Sequence, residues 1–176
     1  MDICGFANKI GLQTCLEFNP EILIPEERVR GYCIQNRCGN YGKSYTCPPN
    51  VPTIEEVKTK FKQYRRGILL RQTVNLNIKL DWKLMKPSLL DFNNNILKVE
   101  DYLKENGIKE VWGIAAGTCA LCEVCGARNN QPCAHPDKAR SSIEALGIDV
   151  AMLLRSLGLD YQFHADRVIW TGCVLY

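Results

Sequence analysis

Three cysteines set two residues apart, Cys119-Ala120-Leu121-Cys122-Glu123-Val124-Cys125, are followed by Cys133 after seven intervening residues. No other feature limits the chain as strongly. Two consecutive two-residue gaps wrap three thiolates around one face of a cubane, the spacing bacterial ferredoxins use for three irons of a [4Fe–4S] cluster. Gly117, Ala120, Gly126 and Ala127 keep the surroundings small. Backbone N–H groups can then approach bridging sulfides. A fourth thiolate is needed. Cys133 is preferred, because closing a local loop costs less entropy than closing a long one. The alternative is Cys47, since ferredoxin runs end in a Cys-Pro pair and here that pair is Cys47-Pro48. Structural zinc is the competing occupant, although zinc loops usually separate two such gaps by a long spacer.

A second group, Cys33-x4-Cys38-x8-Cys47, supplies three thiolates and is one ligand short. Cys4, Cys15 and Cys173 are the candidates for the missing donor. This group suits a second cluster, a zinc ion or partly buried thiols. Residues 48–118 contain no cysteine, so two cysteine-rich loop regions, at about 30–50 and 117–136, flank a segment of regular structure.

The composition agrees with metal or redox use of these thiols. A chain of 176 residues with 46% hydrophobic content can bury a sufficient core without disulfide staples. The opening Met1-Asp2-Ile3-Cys4-Gly5 shows no basic segment leading into an apolar one, so a cytoplasmic location is expected. No stretch nears the ~18 apolar residues that span a bilayer. Ten cysteines in such a chain point to metal ligation before disulfides.

Regular structure is legible between the loops. Pro48, Pro49 and Pro52 mark an extended loop. Thr53 with Glu56 forms a capping box, opening a helix that runs to about Arg66 and stops at Gly67. Ile68–Val74 reads as a strand. Ser88 or Asp91 opens a second helix, with Leu89, Ile96, Val99 and Leu103 on its apolar stripe, closing at Asn106-Gly107. Val111–Ala115 suits a buried strand leading to Cys119. Ile143, Leu146, Val150, Leu153 and Leu157 share one face of a third helix that Gly158 ends. Tyr161–Phe163 and Val168–Trp170 read as a final pair of strands. The expectation is one α/β or α+β domain over 1–176: a compact sandwich of a small mixed sheet and about three helices, with metal-bearing loops.

The net charge is +3, and the excess is local: residues 51–105 carry eleven basic and seven acidic groups. Lys58, Lys60, Lys62, Arg65, Arg66 and Arg71 form a basic run that could dock an acidic redox partner or simply be a solvated helix face. Only Phe61 and Tyr64 interleave with it, which argues against nucleic acid. His135 lies inside the cysteine loop, as a ligand or as a surface residue beside a helix start. No role attaches to His164. The radical-SAM spacing, a P-loop and a dinucleotide fingerprint are all absent.

These motifs resemble the predicted metal-binding protein family catalogued as domain of unknown function 2284. The matching segments are Cys33-x4-Cys38 leading to Tyr41-Gly42-Lys43-Ser44-Tyr45-Thr46-Cys47-Pro48-Pro49, then Gly117-x-Cys119 through Cys133-x2-Pro136, and the tail Arg140–Val150. The resemblance covers roughly residues 30–158 and implies metal or iron–sulfur binding in cytoplasmic proteins of anaerobes. It adds little on reaction type. Three functions follow for comparison: an iron–sulfur protein handling electrons or sulfur, a zinc-stabilised interaction module without catalysis, and a thiol–disulfide enzyme. The last is disfavoured, because no isolated Cys-x-x-Cys caps a helix beside a strand.

Overall fold

The computed structural model describes residues 1–176 and is an α+β fold with five α-helices and a four-stranded sheet. The chain divides into two compact units. The first comprises Met1–Pro20, Tyr64–Ala116 and Gln162–Tyr176; the second comprises Glu21–Gln63 and Gly117–Tyr161.

The first unit holds the whole sheet. Its strands are β1 (Thr14–Phe18), β2 (Gly67–Asn75), β3 (Trp112–Ile114) and β4 (Arg167–Leu175), in the order β1-β2-β4-β3. Every pairing is antiparallel, so the expected mixed sheet is corrected. A strand–helix–strand run suggests a parallel neighbour pair, but here β4 inserts between β2 and β3 and runs against both. β2 is buried along most of its length, matching its unbroken apolar run Ile68-Leu69-Leu70. The backbone N–H of Tyr176 donates to the Arg66 carbonyl at 2.9 Å, and Arg66 N–H returns the bond at 2.9 Å.

Helix α1 (Ile3–Lys9) and helix α4 (Trp82–Glu105) complete this unit. Helix α4 begins well before Ser88, with Pro87 inside it. Proline removes one hydrogen bond there. The buried stripe Leu89, Phe92, Ile96, Val99 and Leu103 holds the helix on the sheet regardless. Two strand glycines make that approach possible. A Cβ on Gly113 would overlap the Glu100 carboxylate, and one on Gly172 would lie 3.1 Å from Phe92 Cζ and 3.2 Å from Ile96 Cδ1. Buried Glu100 is satisfied by the Gly113 N–H at 2.7 Å and by Lys104 Nζ at 3.3 Å. The Asn93-Asn94-Asn95 run also has work here. Asn93 exchanges two hydrogen bonds with the Ala116 backbone, at 3.2 and 3.3 Å. Asn95 Nδ2 donates to Gln72 Oε1 at 3.2 Å. The stretch Tyr161–Phe163 is not a strand.

The second unit has no strand. It contains α2 (Glu27–Ile34), α3 (Ile54–Phe61), α5 (Val150–Ser156) and long irregular segments. The Thr53–Glu56 capping box forms as expected, with both reciprocal bonds present. The long helix expected over 143–157 does not form as one piece. Glu144–Leu146 is a 3₁₀ turn, Gly147 takes φ +87°, and α5 starts only after Asp149. Of the expected stripe, Ile143, Leu146 and Leu153 are buried while Val150 and Leu157 are only half-buried, and the break brings Ile148 and Leu154 into the core in their place.

Candidate metal centre

Seven cysteines, Cys33, Cys38, Cys47, Cys119, Cys122, Cys125 and Cys133, fall in the second unit, and all seven are free thiols. The other three belong to the first unit. Cys4 and Cys15, each expected as a possible fourth donor, are bonded to each other as a disulfide joining α1 to β1. Neither sulfur, while bonded, is a free thiolate for the second group. Cys173 is fully buried on β4, and burial pushes its thiol up to about 12, so it stays neutral.

The first set is built on a helix end and two turns. Cys33 is near the C-terminus of α2, and its carbonyl accepts from Asn36 N–H at 2.9 Å. Asn36 takes a left-handed φ of +51° and its side chain accepts from Tyr41 N–H at 3.0 Å. The chain therefore reverses around Cys38. Asn50 Nδ2 donates to the Ser44 carbonyl at 3.1 Å, closing the loop that carries Cys47.

Burial holds the Cys33 thiol above its usual range, helped by the negative fields of Cys38, Cys47 and Glu144, while Arg30 opposes them. Sequence reasoning missed Glu144 and Arg30 as neighbours of this set. Glu144 had been absorbed into an expected helix, and nothing in the spacing ties Arg30 to a thiol beyond its place one helical turn before Cys33.

The second set is held by a tight return. Gly126 lies where a Cβ would stand 2.6 Å from the carbonyl oxygens of both Gln131 and Pro132, so the 125–133 loop folds onto itself only through glycine. Burial raises the Cys119 thiol, and Cys122, Cys125 and Cys133 raise it further, while the Leu121 N–H lowers it. Cys122, Cys125 and Cys133 therefore lie within electrostatic reach of Cys119, as Cys38 and Cys47 do of Cys33. His135 is exposed, and its carbonyl anchors the turn to Lys138 and Ala139.

Three side-chain bonds stitch the two loops together. Thr46 Oγ1 accepts from Cys119 N–H at 3.2 Å, Cys47 Sγ and Thr118 Oγ1 are 3.4 Å apart, and Tyr45 O–H donates to the Gln131 carbonyl at 2.7 Å. Cys47 thus belongs electrostatically to the first set while touching the start of the second.

Soft thiolates in groups of three and four suit thiophilic metals such as zinc or iron in a cluster, and suit calcium or magnesium poorly. Their positions are looser than their chemistry. Nowhere do three His, Cys, Asp or Glu side chains converge closely enough to hold an ion. Ligation at either set needs the thiols drawn inward.

The exposed basic groups are less continuous than their sequence run. Lys58 Nζ pairs with Glu55 at 2.8 Å, Arg66 with Glu17 at 2.6 Å, and Arg71 is buried in β2. No helix is long and apolar enough to cross a membrane.

Residues 17–176 match the model of a family described as "Predicted metal-binding protein (DUF2284)". No curated protein and no solved structure matches the chain.

Proposed function

Because the chain belongs to the predicted metal-binding protein family DUF2284, we propose that its metal is a [4Fe–4S] cluster held by Cys119, Cys122, Cys125 and Cys133. A second cluster or metal ion is held by Cys33, Cys38 and Cys47. The protein acts in electron transfer or in sulfur and redox chemistry, in the cytoplasm. The observation that supports the reading is that Cys122, Cys125 and Cys133 all act on the Cys119 thiol, in a loop whose return Gly126 closes. Thiolates crowded together raise one another's proton affinity, and a bound cation removes that repulsion. The electrostatic grouping supports Cys133 over Cys47 as fourth donor, since Cys133 and not Cys47 contributes to the field at Cys119. An acidic redox partner docks on the basic run, at its exposed members Arg65 and Arg66.

Anaerobic purification with metal and sulfide analysis tests this. The expected protein is brown, with broad absorbance at roughly 400 nm and acid-labile sulfide in step with iron. Cys122→Ser and Cys133→Ser abolish that chromophore. Cys38→Ser removes only the second metal. A colourless protein with stoichiometric zinc overturns the reading in favour of a zinc-stabilised interaction module, and full iron retention in Cys122→Ser removes the cluster from this set of cysteines.

A further inference from the structure

Beyond the cysteine loops, the first unit exposes apolar side chains where the β2–β4 ladder ends and α4 begins. After Asn75 the chain keeps pairing irregularly, Leu76 N–H donating to the Asp166 carbonyl at 3.1 Å and Ile78 N–H to the Ala165 carbonyl at 3.3 Å. It then makes two successive turns: Asp81 N–H donates to the Asn77 carbonyl at 2.7 Å and Leu84 N–H to the Asp81 carbonyl at 2.8 Å. Ile78, Leu80, Trp82 and Leu84 are therefore gathered in a short compact stretch, and Phe163 lies two residues from the Ala165 partner of Ile78. None of the five is covered. Leu80 is 78% exposed, Trp82 64%, and Phe163 is fully exposed. Isolated exposed apolar residues need no explanation, but several large ones in one place mark a contact surface.

Three lysines, Lys79, Lys83 and Lys86, alternate with these apolar residues and are exposed with them. Lys83 Nζ lies 5.7 Å from the centre of the Trp82 ring. The acidic groups nearby are occupied. Asp81 Oδ2 accepts from Asn77 N–H at 2.8 Å, and Asp166 faces Arg167 at 3.9 Å. The surface thus pairs uncovered Leu, Trp and Phe side chains with unneutralised lysines.

We propose that this surface docks the protein on an anionic lipid bilayer, with Leu80, Trp82 and Phe163 entering the headgroup–acyl boundary and the lysines meeting lipid phosphates. The chemistry matches interfacial binding term by term. Trp rings sit at the headgroup level, long lysine stems lie along apolar surface with the charge in water, and anionic leaflets attract basic clusters. Such docking lies on the surface and needs no spanning helix, in accord with the helices present.

Vesicle co-sedimentation decides the matter, with full-length protein and two vesicle types: phosphatidylcholine alone, and phosphatidylcholine with one quarter phosphatidylglycerol. Binding to the anionic vesicles, weakening with salt, is expected, together with a blue shift of tryptophan emission that Trp82→Ala removes. Leu80→Ser and Phe163→Ser each weaken binding by about tenfold. Lys83→Glu weakens it on anionic vesicles alone. All four positions are exposed, so circular dichroism should show unchanged folding. No vesicle binding, or binding unaffected by Leu80→Ser and Phe163→Ser, overturns the proposal and leaves the surface to a protein partner or to bare charge. Metal loading is read separately in each variant and should match the parent.

Discussion

The hydroxyl of Thr46 accepts a hydrogen bond from the backbone N–H of Cys119 at 3.2 Å, joining residues 73 positions apart in sequence. Thr46 is itself buried, with its Oγ1 also 3.1 Å from Ser44 Oγ. One side chain therefore fixes the entry to the triple-cysteine loop from the neighbourhood of Cys47.

Removing that hydroxyl strands a partly buried amide. Thr46→Val keeps the shape and loses the acceptor, which costs about 1–3 kcal/mol. The expected result is a lower urea midpoint and slower, less complete iron loading, with Thr46→Ser restoring both. Equal stability and loading in Thr46→Val and the parent would show that the stitch does not position the loop.

The division of cysteines predicts a graded thiol count. Alkylation of the native metal-free protein should modify seven cysteines, because Cys173 is fully buried and neutral. Denaturation without reductant should expose Cys173 and raise the count to eight, the number of free thiols. Reduction should then release Cys4 and Cys15 and give all ten. Intact mass after labelling reads each step. Ten modifications in denaturant without reductant would mean the Cys4–Cys15 bond is absent under those conditions.

The helix at 54 was legible because a capping box is a local device: Thr53 and Glu56 satisfy each other whatever the rest of the chain does. The strand at 68–74 was legible because a fully buried central strand is apolar throughout. The disulfide was not, since Cys4 and Cys15 become neighbours only through the packing of α1 against β1. The order of the sheet was also hidden. β4 is the last element, and only its insertion between β2 and β3 makes the sheet antiparallel. At the site, spacing sorts the thiols into sets of three and four, while the folded chain brings no three of them close enough to hold an ion. The bonds from Thr46, Tyr45 and Thr118 that join the groups are long-range contacts with no sequence signature.

Gly147 is required twice over. Its φ of +87° is a conformation that side chains with a Cβ rarely adopt, and the Cβ position is already filled by Ile54 Cδ1 and the Glu26 backbone. The Gly147 carbonyl also accepts from Glu26 N–H at 2.8 Å, so the turn cannot move freely. Gly147→Ala should cost about 1–2 kcal/mol for the backbone conformation alone, with overpacking adding to it. Chemical denaturation measures the sum. A neutral substitution would mean that the second unit does not depend on this contact.

The same segment carries a pH-dependent term at Asp149. Its carboxylate caps α5, accepting from Met152 N–H at 3.1 Å, and also meets Arg28 Nη2 at 3.1 Å. The cap bond, with the Arg28 contact, holds this carboxyl below the usual range. A carboxyl with a depressed folded-state pKa prefers the charged form when folded. Its contribution is therefore full above the unfolded-state value of about 4 and is lost as the pH falls through the lower folded-state value. The side chain is partly covered but still reaches solvent, which screens the charge part. Asp149→Ala should cost about 1 kcal/mol at neutral pH, mostly the lost cap. Asp149→Asn keeps a cap acceptor, so its stability should approach the parent's near pH 7, and any remaining difference should shrink as the pH falls below about 4. Urea midpoints for the three proteins between neutral and acid pH test this. A parent–Asn difference that grows toward acid would reverse the assigned sign and remove Asp149 as the titrating cap.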